Sequence, residues 1–200
     1  MTPDELAALT RRPGPGEHWA TITVDGVATR TLADLPPLRD RLLFVGLHPS
    51  PESVAAGHYH QGRLGQTFWR RLMLATVLPP ATPLDSADDG LVAAGHGITD
   101  LVKRPAEGNG PSDAELTAGV GPLWQKVALW RPAAVVFLFQ RVAIACSGRD
   151  VRQTWGHLEG IALGGRPCFL MPAPHAPVEE VDEGLNFLRN LAAALPRDRS

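Results

Sequence analysis

The chain is poor in cysteine: only Cys146 and Cys168 occur in 200 residues. Two thiols cannot complete a tetrahedral thiolate site or hold an iron–sulfur cluster, and both lie in apolar stretches, so they read as buried free thiols. Long hydrophobic runs are missing too. No apolar stretch approaches the roughly 20 residues a membrane helix needs, and the opening MTPDELAALTRR lacks the apolar core of a secretory signal. A reduced, cytoplasmic setting is expected, with no membrane partner. Charge of one sign is also scarce: 19 Lys and Arg against 21 Asp and Glu leave a net charge of -2. That balance does not advertise a nucleic-acid binder, although a local basic face would suffice for one. The GLHPSP turn lacks the glycine spacing of a dinucleotide fingerprint, and there is no P-loop, HExxH or GxSxG.

What is present is a set of apolar strands alternating with helical patterns. RLLFVGL, AAVVFLF and RPCFLM are continuous apolar runs, as expected of strands buried on both faces. TFWRRLMLATV has helical period, with Phe68, Leu72 and Val77 on one face and Arg70 and Arg71 directed outward. LPPATPLDSADDG reads as a loop, and a short strand is expected around Ile98 to Val102. Ser112 and Glu115 form a capping box that opens a helix lasting to about Trp130. QRVAIAC is helical, HLEGIALGG has hairpin character, and VEEVDEGLNFLRNLAAAL closes the chain as an amphipathic helix. Residues 1–40 form an N-terminal extension: a short helix from Thr2, then a TITVDGVATR hairpin turning at Asp25-Gly26. Residues 41–200 form the α/β domain. The pattern predicts a three-layer α/β/α fold around a central, mostly parallel sheet.

In such folds the working residues lie beyond the carboxyl ends of the strands. Three ends stand out: GLHPSP, TDLVKRP and MPAPHAP. Together they bring His48, Asp100 and His175 toward one cleft, with Gly and Pro keeping the backbone close to a ligand. His58 and His60 sit near each other, but no acidic or cysteine cluster accompanies them in sequence, so no metal site is expected.

The same segments carry a specific resemblance. GLHPSPESVAAGHYHQGRLGQTFW resembles the first motif of the uracil-DNA glycosylase superfamily in its mismatch-specific uracil/thymine branch. GHGITDLVKRPAEGNGPSDAELTAG is similar to that branch's G-x-T-x-L-V-x-R-P block, and FLMPAPHAP stands where its second motif lies. Order and spacing agree from about Leu42 to Leu195. The resemblance implies a uracil-DNA glycosylase-like fold and a monofunctional DNA glycosylase of base excision repair. Its substrate would be double-stranded DNA carrying uracil or a mismatched base, with single-stranded DNA as a further option. It also implies a nucleoid-associated monomer with no cofactor.

The implied chemistry cleaves the N-glycosidic bond of a flipped-out uracil. The base leaves as an anion while the sugar gains positive charge, so donors must surround the base and a carboxylate must serve the sugar. His48 stands where the branch usually has the Asn that holds the hydrolytic water. Asp100, at a variable position, becomes the expected catalytic carboxylate, its bland alternative being a turn cap or a pair with Lys103 or Arg104. Gly46, Leu47 and Tyr59 or His60 are expected at the base, the backbone of Leu47 and Tyr59 more than their side chains. Phe68 and Trp69 read as helix-start packing. Pro174, His175 and Ala176 occupy the wedge position, and Arg63, Lys103, Arg104 and Arg141 are candidate phosphate contacts. Two other readings stay open: a nucleic-acid-binding relative with altered catalysis, and an enzyme that forms a covalent adduct through His48.

Overall fold

The computed structural model describes residues 11–106, 110–151, 155–173 and 176–195. The expected N-terminal helix falls almost wholly outside them, as do Pro174 and His175.

Strand β3 (Leu42–Gly46) is buried along its whole length, with apolar side chains facing both ways. Leu42 and Phe44 join one core cluster and Leu43 and Val45 the other, as the two-residue period of a strand requires. Strand β5 (Ala134–Phe137) repeats this alternation, with Ala134 and Val136 on the first face and Val135 and Phe137 on the second. With β4 (Gly97–Asp100), β6 (Gly156–Leu163) and β7 (Arg166–Leu170) they form a five-stranded sheet of order β4-β3-β5-β7-β6. All neighbours are parallel except the edge pair β6–β7, an antiparallel hairpin.

Six further elements cover the two faces. Helices α2 (Gly62–Leu74), α3 (Ala87–Ala93) and α6 (Val178–Ala193) supply Trp69, Leu72, Leu91, Leu185 and Leu188 to the first core. Helices α4 (Asp113–Trp130) and α5 (Gln140–Ser147) supply Leu116, Val127, Trp130 and Val142 to the second. Helix α1 (Pro51–Ala56) is short and capped by the Ser50 side chain. The result is the expected three-layer arrangement. The Ser112–Glu115 capping box is formed, both reciprocal bonds included.

The segment before β3 is built into this body. Strands β1 (Trp19–Val24) and β2 (Val27–Leu32) form a separate two-stranded sheet turning at Asp25 and Gly26, both at positive φ, as a type I′ turn requires. Leu32 and Leu35 are fully buried in the first core, and Leu35 exchanges backbone hydrogen bonds with Ile98 of β4.

Several expectations need correction. Helix α2 begins at Gly62 and ends at Leu74, so Phe68 and Trp69 lie in its middle rather than at its start. Helix α3 begins at Ala87, inside a stretch read as loop, and β4 ends at Asp100 rather than Val102. Arg71 does not face outward. It is buried and donates to the carbonyls of Pro172 and Ala173, fixing the strap that leaves β7. Both thiols are free, but only Cys168 is buried; Cys146 is half-buried. Burial pushes them up to about 12 for Cys146 and about 11 for Cys168.

Candidate active site

The chain leaves β3 toward β4 on one side of it, then crosses to β5 on the other. The carboxyl ends of these strands therefore open onto a crevice. A cleft of about 380 Å³ lies there, lined by His48 from the turn after β3, Asp100 from the end of β4 and Phe139 after β5, with Tyr59, His60 and Arg63 closing it. A second, apolar cleft of about 180 Å³ shares His60, Leu64, Gly65 and Phe139 with the first and runs to Met171 and Pro172. The two form one groove, polar at the Asp100 end and apolar at the other.

Asp100 is 3% exposed, and its Oδ2 has no hydrogen-bond partner among the described residues. Its register partner on β3 is Gly46, and any side chain there would collide with Asp100 Oδ1. Gly46 thus serves the site by leaving room for the carboxylate. Burial is the dominant influence on Asp100 and raises its carboxyl to about 7, with nearby Asp34 adding to the rise and Lys103 and Lys126 opposing it. The bland alternative of a pair with Lys103 or Arg104 is not what is found. Lys103 pairs with Asp34 at 3.0 Å and Arg104 with Glu115 at 2.6 Å.

The ring of His48 bonds the Pro49 carbonyl through Nδ1 at 3.1 Å. A carbonyl only accepts, so Nδ1 carries the proton and Nε2 is left for other work. Gly110 lies against that Nε2, where an added Cβ would stand at 3.2 Å.

Tyr59 is held on every side. Its hydroxyl donates to the Ala33 carbonyl at 2.8 Å and accepts from Lys103 at 3.1 Å, and its N–H donates to Asp88 at 2.8 Å. Its carbonyl accepts from Trp69 at 3.1 Å. The Tyr59 backbone, expected at a base, is thus already engaged by Asp88 and Trp69. Burial, the largest cause, also raises the Tyr59 hydroxyl well above its ordinary value. Leu47 packs against the second core and its carbonyl is bound by Val102; it is not on the cleft lining.

His60 has a left-handed backbone (φ 52°) and lies 4.6 Å from the Phe68 ring and 5.9 Å from that of Trp69, centroid to centroid. Burial lowers it to about 4, and its enclosed Nε2 has no partner among the described residues. The neutral His60 ring thus lines both clefts, with its Nε2 enclosed. His58 is no open surface histidine: its Nδ1 lies 2.8 Å from the buried Asp88.

Among the candidate phosphate contacts, Arg63 stands exposed at the rim. Arg141 is engaged by Asp113 and the Pro111 carbonyl. The Ala176 N–H donates to the Ala173 carbonyl. Phe139 and Asp34 were not expected at the site, and Arg71 was expected only on an outward helix face. Phe139 alone had a usable signal, as an aromatic immediately following an apolar strand.

The sequence model of the Uracil DNA glycosylase superfamily matches residues 33–190, most of the chain. This protein belongs to that superfamily. Membership implies a DNA substrate and a uracil-DNA glycosylase-like function. No curated protein matches the chain. Among the described residues, no helix is long and apolar enough to cross a membrane.

Proposed function

We propose that the protein is a monofunctional DNA glycosylase that hydrolyses the N-glycosidic bond of uracil in DNA, with Asp100 as its catalytic carboxylate. One observation carries this reading: a buried carboxylate with an unpartnered oxygen, at the carboxyl end of β4 beside the central strand β3, lines a cleft with His48. A structural carboxylate would be paired. One left bare is suited to the charge that appears on a sugar as its base departs.

In this reading the flipped uridine enters the groove with C1′ near Asp100. The bond from C1′ to the base nitrogen breaks, its electron pair leaves with uracil, and the ionised Asp100 stabilises the positive sugar. A water adds to C1′ and gives its proton to Asp100. His48 Nε2 is the ring nitrogen suited to holding that water or a polar edge of the base, with the His60 ring beside it. The apolar end, toward Met171, would take the base or the strap that fills its place in the stack. The restriction to mismatches that the family branch suggests belongs to this proposal as well.

The test is release of free uracil from oligonucleotides carrying U:G, U:A and single-stranded U, compared side by side, with Asp100→Asn as the paired variant. Near-normal release by that variant would sink the assignment. The protonated Nδ1 of His48 favours one second reading, since it leaves the Nε2 lone pair able to attack C1′. A complex with DNA that survives denaturant would establish it.

A further inference from the structure

Outside the cleft lining, three distant chain segments meet around four potential ligands: His18, His58, Asp88 and Asp89. One donor atom from each lies within 4.8 Å of the others. His18 Nε2 is 2.9 Å from Asp89 Oδ1 and 4.0 Å from Asp88 Oδ2, and His58 Nδ1 is 2.8 Å from Asp88 Oδ1. We propose that these four side chains form a closed structural site for one divalent cation of the zinc class, clamping the segment before β1 to the loop that carries Tyr59.

The donor set argues for this chemistry. Two imidazole nitrogens and two carboxylate oxygens suit a borderline cation such as zinc, whereas magnesium and calcium prefer all-oxygen shells. Two adjacent carboxylates balance a double positive charge. The observed separations of 2.8 to 4.8 Å bracket the edge of about 3.4 Å of a tetrahedron with bonds of about 2.1 Å. Only side-chain adjustments are needed to close the shell.

The surroundings hold the ligands in place. The Tyr59 N–H donates to Asp88 Oδ2 at 2.8 Å, and the Gly16 N–H reaches both oxygens of Asp89 at 3.2 Å. Such bonds orient ligating carboxylates in metal sites. The His18 backbone is itself fixed, donating to the Gly57 carbonyl and accepting from Ala33. The two rings stand nearly perpendicular, 84° apart, with centroids 5.6 Å apart. The site is shielded yet reachable: the Asp88 side chain is 0% exposed, while His58 and Asp89 are 14% and 21% exposed. With four protein ligands and no open position, the site is structural rather than catalytic.

The test uses the full chain, stripped with a chelator and dialysed against zinc or cobalt. The expected result is one zinc per chain, visible cobalt bands of tetrahedral intensity, and a melting temperature raised by roughly 5–10 °C at zinc 100-fold above its dissociation constant. His58→Ala and the near-isosteric Asp89→Asn should each lose the stoichiometric metal and the cobalt bands while keeping the wild-type circular dichroism. Zinc content well below one per chain, a melting temperature indifferent to zinc, or metal retained by both variants would overturn the proposal and leave a plain His–Asp hydrogen-bond cluster. None of these readouts involves uracil release, so the outcome is independent of the proposed activity.

Discussion

Two aspartates near the ends of β2 and β4 have opposite fates. Asp34 accepts from Lys103 and Thr99, and its other oxygen lies 2.7 Å from Lys126. Burial works against its ionisation, but the two lysines outweigh burial and hold its carboxyl well below the usual range. Asp100, close enough to feel Asp34 and both lysines, has one oxygen with no partner and is raised to about 7. The fold thus spends two cations on the aspartate outside the cleft lining and leaves the one on the cleft uncompensated. A charge needed only during reaction is better left unsatisfied, at a cost to stability, than neutralised in advance.

The largest effect should come from abolishing the bare carboxylate. Asp100→Asn should slow uracil release by about 10²–10⁴-fold, the usual contribution of a positioned acid–base group. The same variant should be the more stable protein at alkaline pH. The Asp100 carboxyl titrates near 7 when folded and near 3.8 when unfolded, so the native state holds the extra proton between those values. Stability from the neutral carboxyl is complete below about pH 4 and lost as pH rises through 7, by roughly 4 kcal/mol at most. Melting curves of wild type and Asp100→Asn should therefore coincide near pH 4 and separate by pH 8, the variant melting higher. Wild-type uracil release should climb with pH up to about 7 and level off above it, since the carboxylate form is the active one. A flat profile across that range would remove Asp100 from the chemistry.

Asp34 should behave in the opposite sense. Its lowered carboxyl contributes stability that is present at neutral pH and lost in acid. Asp34→Asn strands Lys103 and Lys126, whose side chains are 21% and 11% exposed, and should cost about 2–4 kcal/mol in chemical denaturation. It also removes a negative charge beside Asp100 and frees two positive ones. The pH profile of uracil release should move toward acid, although Asp34 is not on the cleft lining.

Much of this geometry was legible in the sequence where the signal is local. The unbroken apolar runs marked β3, β5 and β7, and the Gly/Pro breaks after β3 and β7 marked two edges of the candidate cleft. The Asp25-Gly26 turn and the Ser112–Glu115 box depend on residues within four positions of one another. What escaped is long-range. The helical period placed Arg71 outward because the period carries no knowledge of the Pro172 and Ala173 carbonyls that receive it. Likewise, the histidine loop has no acid beside it in sequence; its acids arrive from α3 and its fourth member from before β1. The status of Asp100 was undecidable for the same reason. Whether Lys103 serves Asp100 or Asp34 depends on a residue some 70 positions away.

Lys103 touches both sides of the contrast and gives its finest test. It bonds Asp34 and the Tyr59 hydroxyl, and its charge also favours ionisation of Asp100. In Lys103→Gln, Asp34 keeps Lys126, so the loss of stability should be smaller than in Asp34→Asn, about 1 kcal/mol. Asp100 loses a cation and keeps its anionic neighbour, so its carboxyl should rise further. The pH profile of uracil release should shift toward alkali, opposite in sign to Asp34→Asn, with its plateau rate preserved. Matched profiles of the two variants separate an electrostatic origin from a structural one. General loosening of the site would lower both plateaus and move neither midpoint, whereas charge alone moves the two midpoints apart.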